Sequence, residues 1–446
     1  MKIAIITAGG AGMFCGSCMQ DNTLARSLRT AGADALLIPT YTPIRVDEDN
    51  VSSQRVFMGG INVYLDSKLP GWRYLPAFLK RWLDRPAVVQ WLSQFSSSTS
   101  AAELGGLTVD LLKGMAGPQQ REIDELIQFL ADDLKPDVIL FSNALLSGAV
   151  PELRRRWKGQ LACMLQGDDI FLNDLKEPWR AEAMSLIRQN ASQFDTFLTH
   201  SRYYSRFMQK YLGLPAEKFH EIPLTIEDSP DTACGGMFPE QLATTKDDEI
   251  RIGYFARICR EKGAFRFMDA AEKVLPLRPS LKMVMAGFLP KLHEAAFQKR
   301  LAEIQKKFGE RLHWAGSPAD RNAKFTILGS FDWLCVPTEY EEPKGLYVLE
   351  AALLGIPSLL PSHGAFPERI EQLGQGKLID PSSEQSLVDA ILTLQPQRDV
   401  NQRRRLREHC LTHHSATSTA ASVLRALSAR QQIAEGRQPS GDGIRP

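Results

Sequence analysis

Glu342 and Glu350 stand eight positions apart in the stretch "EPKGLYVLEAALLGIP". Between them Gly345 opens an apolar pattern at helical spacing, so the stretch reads as a loop and the first turns of a helix. The first amides of a helix lack an intrahelical acceptor, and those of Gly345, Leu346 and Tyr347 would make an anion site suited to phosphate. A carboxylate is misplaced beside phosphate unless it binds neighbouring hydroxyl groups, such as those of a sugar or a ribose. Two solvent-facing glutamates would give the same spacing. Upstream, "GYFARICREKGAFRFMDA" places Arg257 and Lys262 just after an apolar run. A strand ending there would deliver two cations, which suit a departing diphosphate through charge-assisted hydrogen bonds. A surface arginine and lysine would look alike in isolation.

The elements that must position these residues are short apolar runs alternating with helical patterns. In the first half the runs are "KIAIIT", "ALLIP", "RVFMGG", "INVYL", "DVILFS", "LACML" and "TFLTH"; in the second they are "EIRIGYF", "KMVMAG", "RLHWAG", "FDWLCVP", "IPSLLP" and "GKLI". Runs of this length bounded by turn residues read as buried parallel strands, and the alternation predicts two doubly wound α/β domains. Such sheets take ligands at their carboxyl ends. The stretch 227–248, Pro/Gly/acid-rich and without period, reads as the linker. Domains are therefore expected at 1–227 and 228–420, with 421–446 holding a last helix and a disordered tail. Residues 69–118, rich in Trp and Leu with interspersed Arg and Lys, interrupt the alternation. They read either as a helical insertion packed on the first sheet, or as an acceptor-binding lid or interfacial helix touching a membrane.

Here a resemblance becomes specific. Glu342, Gly345, Leu346, Leu349, Glu350, Ala351, Gly355 and Pro357 coincide with the Glu-x7-Glu signature of the retaining glycosyltransferases of the glycosyltransferase-four family. Arg257 and Lys262 fall on that family's Arg-x4-Lys pair. Weaker similarity runs in order over residues 1 to 420. The resemblance implies the GT-B fold, two Rossmann-like doubly wound parallel-sheet domains facing a central cleft. It implies transfer of a sugar from a nucleoside-diphosphate-sugar donor to an acceptor hydroxyl with retention at the anomeric carbon. Arg257, Lys262 and Glu342 would act at the reacting centre. Gly10, Gly12, Gly345, Leu346, Tyr347 and Glu350 would bind the donor, Glu350 through its ribose. Asp168 or Asp169, in "CMLQGDDIFL", would orient or deprotonate the acceptor, or cap the helix that follows. Gln166 stands where many members carry a histidine. The last helix, "STAASVLRALSARQQI", would return to the first domain. An epimerase, a phosphorylase, or a nucleotide-sugar-binding protein with weakened acceptor chemistry on the same fold would share the donor half.

The opening loop "AGGAGMFCGSCMQDN" follows the first strand. In the resembling enzymes such glycines let backbone approach the donor, and Gly9, Gly10 and Gly12 suit that. Cys15 and Cys18 leave three readings: packing, a redox pair or a metal site. With two cations and helix amides at hand, no cofactor or metal is expected.

Composition narrows the partners. A formal net charge of +1 over 446 residues gives no broad attraction to nucleic acid. Seven scattered cysteines read as reduced thiols, and no stretch approaches a membrane span. The expectation is a cytoplasmic protein, with contact at the inner membrane face if 69–118 serves as an interfacial segment. The acceptor, whether glycan, lipid or small molecule, is not specified by the residues.

Overall fold

The computed structural model describes residues 1–9, 16–47, 49–53, 55–57, 104–226 and 249–434. Gly10, Gly12 and Cys15, residues 58–103, which include 69–103 of the interrupting segment, and the stretch 227–248 lie outside the described residues. The chain divides into two compact units. One takes in the described residues of Met1–His200, Ser205–Pro223 and Thr417–Pro446; the other comprises Ser201–Tyr204 and Leu224–Ala416.

The first unit holds six strands: β1 (Lys2–Thr7), β2 (Asp34–Pro39), β3 (Val138–Phe141), β4 (Gln160–Met164), β5 (Thr196–Thr199) and β6 (Phe219–Glu221). They pair in the order β2-β1-β3-β4-β5-β6, every neighbour parallel. Burial on both faces explains their unbroken apolar runs: every residue of β3, β4 and β5 is buried. One expectation needs amending, and another falls where nothing is described. Arg55–Phe57, the described part of "RVFMGG", are not in a strand, and "INVYL" falls outside the described residues. Conversely, β6 has no apolar run to betray it: only Phe219 of its three residues is buried, because it lies at the sheet edge.

The helix Ala416–Ala434 is in the core of this same unit. Its Ala420, Val423 and Leu427, at helical spacing, are buried with Ile3, Ile5, Val138, Leu140 and Met164. The second unit ends at Ala416, and the helix from Thr417 onward belongs with the first.

The second unit has β7 (Ile250–Phe255), β8 (Leu281–Ala286), β9 (Leu312–Trp314), β10 (Trp333–Cys335), β11 (Ser358–Pro361) and β12 (Lys377–Ile379). These six match the six apolar runs of the second half. Their order is β12-β11-β10-β7-β8-β9, again all parallel. Chain order reverses between β7 and β10, which pair at Trp333↔Ile252 and Leu334↔Gly253. Loops leaving the carboxyl ends of two such strands diverge to opposite faces and leave a crevice between them. In this unit those loops carry Arg257–Lys262 and Glu342–Gly345.

Candidate donor site at the β7 and β10 strand ends

The loop after β7 comes close to the loop after β10 because Gly263 permits it. Its backbone is left-handed (φ +75°), and a Cβ there would lie 1.9 Å from the carbonyl oxygen of Pro337. No other residue type fits both conditions. The Glu339 amide also donates to the Glu261 carbonyl at 2.9 Å. Lys262, one residue before the glycine, is thereby carried to Glu342.

Lys262 Nζ donates to Glu342 Oε2 at 2.5 Å and to the Tyr340 hydroxyl. Oε2 also accepts from the hydroxyls of Tyr340 (2.7 Å) and Tyr347 (3.0 Å). Oε1 faces the amides of Lys344 (3.4 Å) and Gly345 (3.3 Å). Burial alone would raise the carboxyl; the charge and hydrogen bond of Lys262, with those of the two tyrosines, outweigh it and hold Glu342 at about 2. Burial, and after it the charge of Glu342, keep both tyrosines protonated well above their usual range, so they remain donors. The ammonium also lies 5.0 Å from the Tyr340 ring centroid and 5.2 Å from that of Tyr347, within cation–π range.

The helix Leu346–Leu353 starts at Gly345, its left-handed N-cap. A fully buried guanidinium fixes how that start is turned. Arg369 Nε donates to the Lys344 carbonyl at 3.0 Å. In a trans peptide the N–H points away from the carbonyl, so holding that oxygen turns the Gly345 N–H toward Glu342. Burial lowers Arg369 to about 10, which leaves it charged at neutral pH. Two turns along, Glu350 Oε1 accepts from Lys324 Nζ at 2.9 Å.

The site residues expected in this unit therefore fall into two groups. Lys262, Glu342, Gly345 and Tyr347 meet directly, and Leu346 lies in the same first turn. Arg257 follows β7, exposed, with its carbonyl accepting from the Tyr254 hydroxyl at 2.8 Å. Glu350 is bound instead to Lys324. Sequence reading missed Tyr340, Arg369 and Lys324, and took Tyr347 for its amide alone. Lys324 and Arg369 carried one legible signal, a cation within an apolar helical stripe; Tyr340 carried none.

The first unit has its own polar cluster at the ends of β1, β3 and β4. Gln166 donates from Nε2 to Asp21 Oδ1 (2.8 Å) and to the Ser142 carbonyl (3.0 Å), and Asp21 Oδ2 accepts from Thr7 Oγ1 at 2.7 Å. Asp168 accepts from the amides of Ala144 (2.6 Å) and Gln166 (2.9 Å). Burial pushes it up to about 6 against those hydrogen bonds. The carboxylate thus ties the loop after β3 to the loop after β4. Gly9 (φ +90°) lies against Thr42, whose carbonyl oxygen would be 2.1 Å from a Cβ there. Cys18 is buried in the core among Ile3, Leu24 and Leu28. Among the described residues no group of His, Cys, Asp or Glu is placed to hold a metal ion, and no helix is long and apolar enough to cross a membrane.

A sequence model of the family described as "Glycosyl transferases group 1" matches residues 240–410. No curated protein matches the chain. Among solved structures it resembles the sucrose-phosphate synthase of Thermosynechococcus elongatus, with TM-score 0.67 and 14% identity over 98% of this chain and 100% of that one. It also resembles Anabaena HepE in complex with UDP and glucose, with TM-score 0.61 and 15% identity over 96% and 100%. A third is the lipopolysaccharide outer core galactosyltransferase WaaB, with TM-score 0.56 and 12% identity over 96% and 100%. The fold, two six-stranded parallel α/β units with these neighbours, is GT-B.

Proposed function

We propose that the protein transfers a sugar from a nucleoside-diphosphate-sugar donor to an acceptor hydroxyl, with retention at the anomeric carbon. One observation carries the reading: the Lys262–Glu342 pair sits against the amides that open the helix Leu346–Leu353, at the strand ends where chain order reverses. Supporting it are the family match over residues 240–410 and structural neighbours crystallised with UDP or UDP-glucose.

In this reading the diphosphate lies on the first-turn amides of Leu346 and Tyr347, with Arg257 and Lys262 as its cations. They stabilise the charge that develops as the C1–O(phosphate) bond breaks. Glu342, anionic throughout the working pH range, faces the electron-poor carbon and the sugar hydroxyls, and holds Lys262 in place. Glu350 accepts from the ribose. The acceptor hydroxyl attacks on the leaving-group face, its oxygen bonds to C1, and its proton passes to the departing phosphate oxygen. Asp168 serves the acceptor, and Gly10 and Gly12 let backbone approach the donor. The cations and amides supply the positive field, so the reaction is proposed to run without a metal or cofactor. Five described cysteines, all buried free thiols, suit a reducing compartment.

Incubation with a panel of nucleotide sugars, scored by nucleoside diphosphate release with and without candidate acceptors, tests the activity and names the donor. The anomeric coupling constant of the product, read by proton NMR, tests retention. No release from any donor by the folded chain would sink the proposal.

A further inference from the structure

In the helix Arg321–Gly329 the inward residues are Lys324, Phe325, Leu328 and Gly329. Phe325 and Leu328 are what an inward stripe at helical spacing requires. A lysine beside them is not. Asp320 caps this helix, its Oδ1 accepting from the Ala323 amide at 2.8 Å, and so fixes where Lys324 leaves the backbone. Its side chain is 7% exposed and that of its partner Glu350 12%. Withdrawing both charges from water is costly, and an apolar pair of similar volume would hold two packed helices at least as well. Stability therefore gives no reason for the lysine. Glu350 Oε1 is taken by Lys324, which leaves Oε2 as the carboxylate's second acceptor.

We infer that Lys324 is a positioning residue for the nucleotide: by holding Glu350 through Oε1, it aims Oε2 at the vicinal hydroxyls of the donor's ribose. The carboxylate is ordered before the ligand arrives, so binding does not bear that ordering cost. Lys324 thus acts through Glu350, as a specificity element for a ribose over a sugar lacking those hydroxyls. This inference rests on the glycosyl-transfer reading, which places the ribose at Glu350.

The test is calorimetric titration of the full chain with UDP, GDP, ADP and CDP, then with the 2′,3′-dideoxy form of the tightest binder and with inorganic pyrophosphate. Lys324→Gln should weaken the ribonucleotide about tenfold, or about 1.4 kcal/mol. It should abolish the preference over the dideoxy form and leave pyrophosphate unchanged. Lys324→Arg should recover most of the preference. Glu350→Gln should reproduce the loss, and Lys324→Gln/Glu350→Gln should be no worse than Glu350→Gln alone. With donor sugar, KM should rise while kcat holds. Should Lys324→Gln fail to fold, Lys324→Met fills the same volume without the charge and takes its place. A folded variant that still distinguishes ribo from dideoxy as wild type does, or additive losses in the double variant, overturns the inference. Wild type that binds none of these nucleotides instead overturns the glycosyl-transfer reading beneath it.

Discussion

Replacing Glu342 by glutamine removes one charge from a site that is otherwise left in place. The side chain of Glu342 is 5% exposed and that of Lys262 18%. The carboxyl falls from its ordinary 4.5 to about 2 in the folded chain. Each pKa unit is about 1.36 kcal/mol, so the ionised carboxylate contributes about 3 kcal/mol to the second unit at neutral pH. The same figure is expected from breaking a buried pair and leaving Lys262 without its anion. Because the folded pKa is the depressed one, the contribution is complete above the unfolded value of 4.5 and is lost as pH falls toward 2. At pH 3 about 1.4 kcal/mol of it should remain. Urea titrations of wild type and Glu342→Gln at pH 7 and pH 3, read by amide exchange in β7 and β10 peptides, report the opening of this unit. The variant should be weaker by about 3 kcal/mol at pH 7, and the gap should shrink at pH 3. Equal stabilities at pH 7, or a gap that does not narrow in acid, would refute the pairing of Glu342 with Lys262 as its anchor.

Other outcomes follow from the same geometry. Arg257→Ala and Lys262→Ala should each cut turnover by about 10² or more, the scale of losing one transition-state donor; a folded double variant with near-wild-type kcat would remove both from the mechanism. Gly263→Ala should cost about 2–6 kcal/mol, the sum of left-handed strain and a clash with the Pro337 carbonyl, and should weaken binding of the product diphosphate; thermal melts and titration would read both. Transfer should persist in EDTA, and complete loss restored by a divalent metal would contradict a positive field made only of Arg257, Lys262 and helix amides.

The strands of the second unit and the motif around Glu342 were legible in the sequence, because buried parallel strands are continuous apolar runs and a helix start carries local signals. The interval between Arg257 and Lys262 and that between Glu342 and Glu350 are local too. Edge strand β6 was not legible, since half of its surroundings is solvent and it needs no apolar run. Nor was the company each site residue keeps. Lys262 meets Glu342 across 80 residues, and Glu350 meets Lys324 across 26. Those encounters depend on strand order and on how closely two loops approach, which no local pattern encodes. The sequence presented Tyr340 as an ordinary loop residue, and Lys324 and Arg369 only as cations within apolar helical stripes. Only the pairing of β7 with β10, and the packing of three helices beside them, brought Tyr340 to Glu342, Arg369 to the Lys344 carbonyl and Lys324 to Glu350, because a buried polar group acquires its role from the partner that burial requires it to find.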